Sequence, residues 1–216
     1  LEARFPAREL PEGAVVTRMA PSPTGFVHLG NLVQGFVSER MAHQSGGVLF
    51  LRVEDTDAKR EVPGAVEVLI ETLRQLEGKI DVYLPDFKYS DNALAKKLSS
   101  APDYFETASA AILEMYRQVG KPVIEGDEMK RGVLVRHLVL PGCVDNSLGV
   151  LDWVAEHFRS DDILFSLMSQ YVPMGRAVEM PPFDRRITEL EYDSVLSYMM
   201  LLGIEDGYTQ DFSSAE

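Results

Sequence analysis

The stretch RMAPSPTGFVHLGN at residues 18–31 decides how the first part of this 216-residue chain folds. A run rich in β-branched residues leads into it, and two prolines and a glycine then break that run in a rigid turn. A helical pattern of apolar residues begins near His28 and ends at the glycine pair at 46–47. Strand, turn and helix in this order direct backbone N–H groups and the positive helix end to one place, where a phosphate can bind.

The alternation of strand and helix continues along the chain. The predicted strands are 14–20, 48–53, 80–87, 133–140 and 163–168, and the predicted helices are 29–44, 63–76, 102–119, 145–157 and 188–202. This order indicates an α/β fold with a mostly parallel sheet and helices packed on it. The run RVEDTD at 52–57, which is mostly polar, ends the second predicted strand. Ligands bind beyond the carboxyl ends of such strands, so we expect it to face the same crevice as the first turn.

Composition excludes several classes of protein. No apolar run approaches the roughly 20 residues that cross a bilayer, and the first ten residues do not resemble a signal peptide. The single cysteine, Cys143, excludes an internal disulfide framework, so we expect a cytoplasmic protein without a membrane partner. The net charge of −13 disfavours nucleic acid binding unless the basic residues gather on one face.

The acidity lies mainly in the second part of the chain. Residues 1–78 contain 8 basic and 11 acidic residues, whereas residues 79–216 contain 13 and 23. Because the motifs also change near this point, we predict a first segment at 1–78 and a second at 79–216.

The first segment resembles a known family through two stretches, TRMAPSPTGFVHLG and LRVEDTDAKREVPGAVEVLIETL. Residues 14–77 are similar to the N-terminal part of the catalytic domain of glutamyl-tRNA synthetase, a class I aminoacyl-tRNA synthetase with a Rossmann fold. HLGN stands at the position of the family's HIGH-type ATP motif, which implies that His28 and Gly30 are catalytic and contact ATP. The residues that the resemblance assigns to the glutamate substrate are Arg18, Ser22 and Glu54, with the guanidinium forming a bidentate pair with a carboxylate.

Complete catalysis is not expected from this segment. A class I synthetase needs a KMSKS-type loop that stabilises the pyrophosphate, and no such motif follows; the sequence KKLS at 96–99 has different surroundings. The acceptor-stem and anticodon-binding parts are also missing, and the chain begins with Leu1 rather than methionine, as a fragment would. The implied partners are therefore glutamate, or a close relative such as glutamine, and ATP as substrate, with tRNA implied by resemblance alone.

The second segment resembles a different family. The stretches DVYLPDFKY, GVLVRHLVLPG, DNSLGVLDWVAE and LMSQYVPMGRA are similar to the C-terminal half of radical S-adenosylmethionine (SAM) proteins of the pyruvate formate-lyase-activating type, which form a (β/α) barrel. Lys88 stands where that family has a residue near the SAM carboxylate. The CxxxCxxC motif is absent, so we expect no iron–sulfur cluster and no metal. His137, within an apolar strand, is interpreted as a core residue.

Three functional hypotheses follow. The first is an ATP- and glutamate-binding, Rossmann-like fragment joined to a partial (β/α) barrel. The second is a remnant of a SAM-dependent activating enzyme, and the third is a folded chimera without a ligand site. A gene fusion, a misassembled reading frame or a designed chimera would each produce such a join, and an open sheet edge would favour homo-oligomers.

Overall fold

The computed structural model describes residues 11–19, 29–53, 65–126 and 128–210. The strands are β1 (Thr17–Met19), β2 (Leu49–Val53), β3 (Val82–Pro85), β4 (Val123–Glu125), β5 (Glu128–Leu138), β6 (Leu164–Met168) and β7 (Gly207–Thr209). The helices are α1 (Leu29–Gln44), α2 (Ala65–Gln75), α3 (Asn92–Ser99), α4 (Tyr104–Val119), α5 (Val144–His157) and α6 (Glu189–Leu201). A 3₁₀ turn spans Gly175–Glu179.

These strands form one sheet that continues through the predicted boundary near residue 78. Its order is β1-β2-β3-β5-β6-β7, and all neighbours on this path are parallel. The pairing of β2 with β3 joins the two predicted segments and places Phe50 opposite Val82. The expected α/β fold with a mostly parallel sheet is therefore confirmed, with β4 as an antiparallel addition to β5.

Five helices share one hydrophobic core against one face of the sheet. Strand residues Leu49, Tyr83, Val135 and Phe165 belong to this core. The helical members are Ala42 of α1, Leu73 of α2, Ile112 of α4, Leu151 of α5 and Val195 of α6. Because side chains alternate along a strand, the residues between these strand positions point to the other side. We call that other side the open face; it carries Phe50, Asp86, Arg136 and Ser166.

Side chains also link the two predicted segments on the helical side. The amide of Gln118 donates to the Leu73 carbonyl at 2.8 Å and to Glu114 at 2.8 Å, and its oxygen accepts from the Tyr83 hydroxyl at 2.6 Å. Next to it, the Arg117 guanidinium donates to both oxygens of Glu77. These contacts therefore cross the predicted boundary near residue 78. That the two segments are separate domains stays a prediction.

Four elements were not predicted from the sequence. They are α3, β4, the 3₁₀ turn and β7. The fourth predicted strand also begins earlier than residue 133, because β5 runs through Gly132. Gly132 has a φ of 128°, and a Cβ there would lie 2.8 Å from the Pro122 Cα, so only glycine fits this passage. Gly132 thus allows β5 to continue past β4.

Candidate functional site

Arg18 lies in the edge strand β1, near its carboxyl end. Its side chain is exposed and its backbone is in register with Phe50, so it lies on the open face. The preceding residue, Thr17, points the other way and donates its hydroxyl to the Ser38 carbonyl of α1 at 2.8 Å. Gly30 lies in the first turn of α1. The strand–turn–helix unit predicted from the sequence therefore has its strand and helix in the expected order.

Three of the predicted site residues, Ser22, His28 and Glu54, lie outside the described residues. Their predicted contacts with ATP and glutamate stay predictions. Of the residues predicted to bind ATP or glutamate, the structure positions Arg18 near the end of β1 and Gly30 at the beginning of α1.

A second polar group crosses the middle of the open face. Asp86 follows β3 and bridges to Arg136 of β5, and the two side chains form a partly buried ion pair. Arg136 is in register with Ser166 of β6, which is in register with Tyr208 of β7. The Nε of Arg136 is buried without a hydrogen-bond partner among the described residues. Since a buried N–H without a partner is costly, this atom marks a position where a polar ligand atom would be stabilised.

Lys88 follows Asp86 by two residues at the same edge of the sheet. Its backbone N–H donates to the Tyr104 hydroxyl at 2.9 Å, and its carbonyl accepts from the Asn146 amide at 2.9 Å. These bonds hold the chain at Lys88 between α4 and α5, beyond the carboxyl end of β3.

Arg18 and the Asp86–Arg136 pair do not form one small site. Arg18 is in register with Phe50 of β2, which is in register with Val82 of β3. Asp86 comes four residues after Val82, just beyond the end of β3, and so lies two strands away from Arg18. Strand spacing and rise place these Cα positions about 16 Å apart. The sequence resemblance did not assign Asp86 or Arg136 to a site; the available signal was a lone arginine inside the apolar strand GVLVRHLVLPG.

His137 is a core residue, as predicted. Its side chain is fully buried on the helical side of β5. Nδ1 lies 2.7 Å from the Phe87 carbonyl and Nε2 lies 2.8 Å from the Ser147 hydroxyl. A neutral ring with its proton on Nδ1 satisfies both, because Nδ1 donates to the carbonyl and Nε2 accepts from the hydroxyl. Burial lowers the pKa of His137 to about 4, which keeps the ring neutral.

Cys143 is half-buried before α5, and burial raises the pKa of its thiol above the ordinary value.

No cluster of three or more histidine, cysteine, aspartate or glutamate side chains with metal-binding geometry occurs in the described part of the chain. An iron–sulfur cluster needs several thiolates, and the sequence contains one cysteine. The residues present therefore do not fit such a cluster. None of the described helices is both long and apolar enough to cross a membrane.

Comparison with protein families supports the resemblance of the first part of the chain. Residues 14–120 match the catalytic-domain model of the class I tRNA synthetases (E and Q). This match extends beyond the 14–77 range quoted from motifs, past α2 and β3 to the end of α4.

Individual synthetases share substantial identity with the same region. The chain is 47% identical over 121 residues to a glutamate–tRNA ligase of Acetivibrio thermocellus, covering 56% of this chain and 20% of the relative. It is 50% identical over 76 residues to that of Sorangium cellulosum, covering 35% of this chain and 13% of the relative. The chain thus matches a fifth or less of the length of these relatives.

A comparison of the fold finds a solved structure that is similar over most of the chain. The fold is similar to a crystal structure of a domain of pyruvate-formate lyase-activating enzyme from Bacteroides vulgatus, with a TM-score of 0.56. The likeness covers 92% of this chain and 100% of that one at 14% sequence identity. At this identity it shows the fold alone. The resemblance of the first part to the synthetases is confirmed by sequence, and the likeness to the activating-enzyme domain is one of fold.

Proposed function

We propose that the chain is an ATP- and glutamate-binding fragment of glutamate–tRNA ligase type, without complete aminoacylation activity. The observation that carries the proposal is the synthetase match over residues 14–120, which includes Arg18 and Gly30. Arg18 presents an exposed side chain near the carboxyl end of β1, and α1 is the next element along the chain. A guanidinium there is suited to pair with the glutamate side-chain carboxylate, and the N-terminus of α1 is suited to phosphate.

Binding is proposed to persist where catalysis does not. A bidentate ion pair and a few backbone–phosphate bonds sustain binding in the micromolar to millimolar range, about −8 to −4 kcal/mol. Adenylate formation requires at least about 8 kcal/mol of further transition-state stabilisation. The KMSKS-type motif that would supply much of it is absent from the sequence, and the net charge of −13 disfavours tRNA docking.

A thermal melt with a non-hydrolysable glutamyl-adenylate analogue tests the proposal. At a concentration 100 times its dissociation constant the analogue stabilises the folded chain by about 2.7 kcal/mol, a shift of several degrees. Arg18→Ala should abolish the shift, whereas Arg159→Ala, another exposed arginine in the second segment, should retain it. An unshifted melt of the unmodified chain contradicts ligand binding and favours a folded chimera without a site. Glutamate-dependent exchange of pyrophosphate into ATP well above background contradicts the proposed incompleteness.

A second candidate function, SAM binding, is favoured by the Asp86–Arg136 pair. Arg136 has a buried Nε without a partner among the described residues, and Lys88 lies at the same edge. Both are cations of the kind that a SAM carboxylate would contact. Calorimetric titration with SAM up to about millimolar tests it, since binding of about −4 kcal/mol is still detectable there. Weaker binding by Lys88→Ala than by Lys79→Ala supports this function, and no heat with the unmodified chain removes it.

A further inference from the structure

His43 occupies a position between two carboxylates on two different elements. It lies in the last turn of α1, with Nε2 2.9 Å from Asp81 Oδ2 and Nδ1 3.2 Å from Glu39 Oε1. Glu39 is one turn earlier on the same helix, and Asp81 immediately precedes β3. The imidazole therefore connects the end of α1 to the part of the chain that begins β3.

The two distances require a particular protonation state. An ionised carboxylate can only accept hydrogen bonds, and a neutral imidazole has a single N–H to donate. Both contacts are hydrogen bonds at the same time only when the ring of His43 is a doubly protonated imidazolium. In the neutral ring, one nitrogen lone pair faces a carboxylate oxygen and repels it.

We propose that His43 is a proton-operated clamp that fastens the C-terminal end of α1 to the start of β3. The clamp is closed when the imidazolium donates to both Asp81 and Glu39, and it loses one of these bonds on deprotonation. This proposal concerns the folded chain without ligand and does not depend on the proposed function.

The charged groups around His43 are two carboxylates, which touch its ring, and two cations further away. On α1, Arg40 lies beside Glu39, with 3.8 Å between its Nε and Glu39 Oε2. On the β3 side, Lys79 places its Nζ 5.9 Å from the centroid of the Phe36 ring. The groups in direct contact with the His43 ring are the carboxylates of Asp81 and Glu39. The pKa of His43 is accordingly raised above its ordinary value, mainly by the hydrogen bond to Asp81, against an opposing effect of partial burial.

The clamp matters because residues 35–44 of α1, whose side chains the structure describes, include few buried ones. Its outward residues Phe36, Val37 and Met41 are about half exposed, and Ala42 is its fully buried member among the described side chains. A surface ion pair contributes little to a large core, but it is a sizeable fraction of what holds such a helix. α1 is also the helix whose first turn contains Gly30, at the opposite end from the clamp.

The direction of the pH dependence follows from the raised pKa. Protonation of His43 stabilises the folded chain fully below the unfolded value of about 6.5. This stabilisation is lost as the pH rises through the higher pKa of the folded state. The pKa of His43 therefore lies above its ordinary value of 6.5, and a change in its protonation can act as a switch.

Amide hydrogen exchange of the full chain, compared with Asp81→Asn, tests the clamp. At about pH 5.5 the α1 amides of the unmodified chain should be about two- to fivefold better protected than those of the variant, as for an exposed ion pair. At about pH 8.5 this ratio should approach one. Asp161→Asn removes a surface carboxylate that pairs with Lys121, away from α1, and should leave α1 protection unchanged at both values.

An NMR titration of the His43 ring provides an independent readout. In the unmodified chain it should titrate above 6.5, and in Asp81→Asn its pKa should move back towards 6.5. A protection ratio that is the same at both pH values would overturn the proposal, and so would a His43 pKa at or below 6.5 in the unmodified chain. At about pH 5.5, Glu39→Gln should lower the protection of the α1 amides less than Asp81→Asn does, because its contact is the longer of the two.

Discussion

The centre of the sheet and the unit formed by β1, α1 and β2 have the same local architecture but are held by different interactions. In both, parallel strands pack against helices. At the centre, the ring of His137 is completely buried and joins β5 to Phe87 and to α5 through two hydrogen bonds. In the first unit, His43 makes its two cross-links at the surface, with carboxylates. Burial lowers the pKa of His137 and favours its neutral form, whereas the carboxylate partners of His43 raise its pKa and favour its charged form, so acid should affect the two regions in opposite directions.

Replacing the central histidine is expected to have the largest effect on stability. His137→Ala removes a fully buried ring, leaves the Phe87 carbonyl and the Ser147 hydroxyl without partners, and creates a cavity. We expect a loss of about 4 kcal/mol in the free energy of unfolding, measured by urea denaturation. Ser147→Ala, which removes one of the two hydrogen bonds and little volume, is expected to cost about 1 kcal/mol. Equal losses in the two variants would show that the ring itself contributes little.

Acid should destabilise the centre of the sheet through the same residue. The pKa of His137 is lowered from 6.5 to about 4 in the folded state, so the unfolded chain takes up a proton first as the pH falls. The associated stability is complete above pH 6.5 and is lost as the pH falls to about 4, amounting to about 3 kcal/mol. Urea denaturation at several pH values in this range measures it. The difference in stability between the unmodified chain and His137→Gln, which does not titrate there, should shrink by this amount towards the acid end.

The contacts of Gln118, which cross the predicted segment boundary near residue 78, provide a third test of how the regions of the sheet are held. Gln118→Ala removes hydrogen bonds to the Leu73 carbonyl, to Glu114 and from the Tyr83 hydroxyl, which together join α2, α4 and β3. The expected cost is about 2 kcal/mol, since a buried hydroxyl and a carbonyl lose their partner. Gln44→Ala, at an exposed position in the last turn of α1, should change stability by less than about 0.5 kcal/mol. If Gln118→Ala instead splits the transition into two, the predicted segments unfold as separate units.

Local sequence signals were sufficient for elements with clear ends. The bounds predicted for α1 are those observed, because the glycine pair at 46–47 ends the helix and Gly46 adopts a positive φ of 71°. The helix predicted at 188–202 begins where predicted, because Thr188 and Glu191 form a capping box at its start. α3 was missed although Asp91 caps it, since its eight residues are too few for a clear apolar period.

Features that depend on pairing between distant residues could not be predicted from the sequence. β7 has three residues and exists because Gly207 can approach the Phe165 carbonyl closely, where a Cβ would lie 1.8 Å from the oxygen. The Asp86–Arg136 pair depends on the register of β3 against β5, which spans 50 residues of sequence. Sequence resemblance singled out Arg18 and Lys88, but that β1 and β3 lie two strands apart became clear only from the sheet order.

The smallest expected effect concerns the capping box at the start of α6. The Thr188 hydroxyl accepts from the Glu191 N–H at 3.2 Å, and the Glu191 carboxylate accepts from the Thr188 N–H at 2.7 Å. Thr188→Ala removes the first bond but leaves the second, so we expect a loss of about 1 kcal/mol in urea denaturation. Ser194→Ala serves as the control, because its hydroxyl donates only to a carbonyl within the helix and is exposed. A loss as large as that of Gln118→Ala would mean that α6 supports the centre of the sheet more than its surface cap suggests.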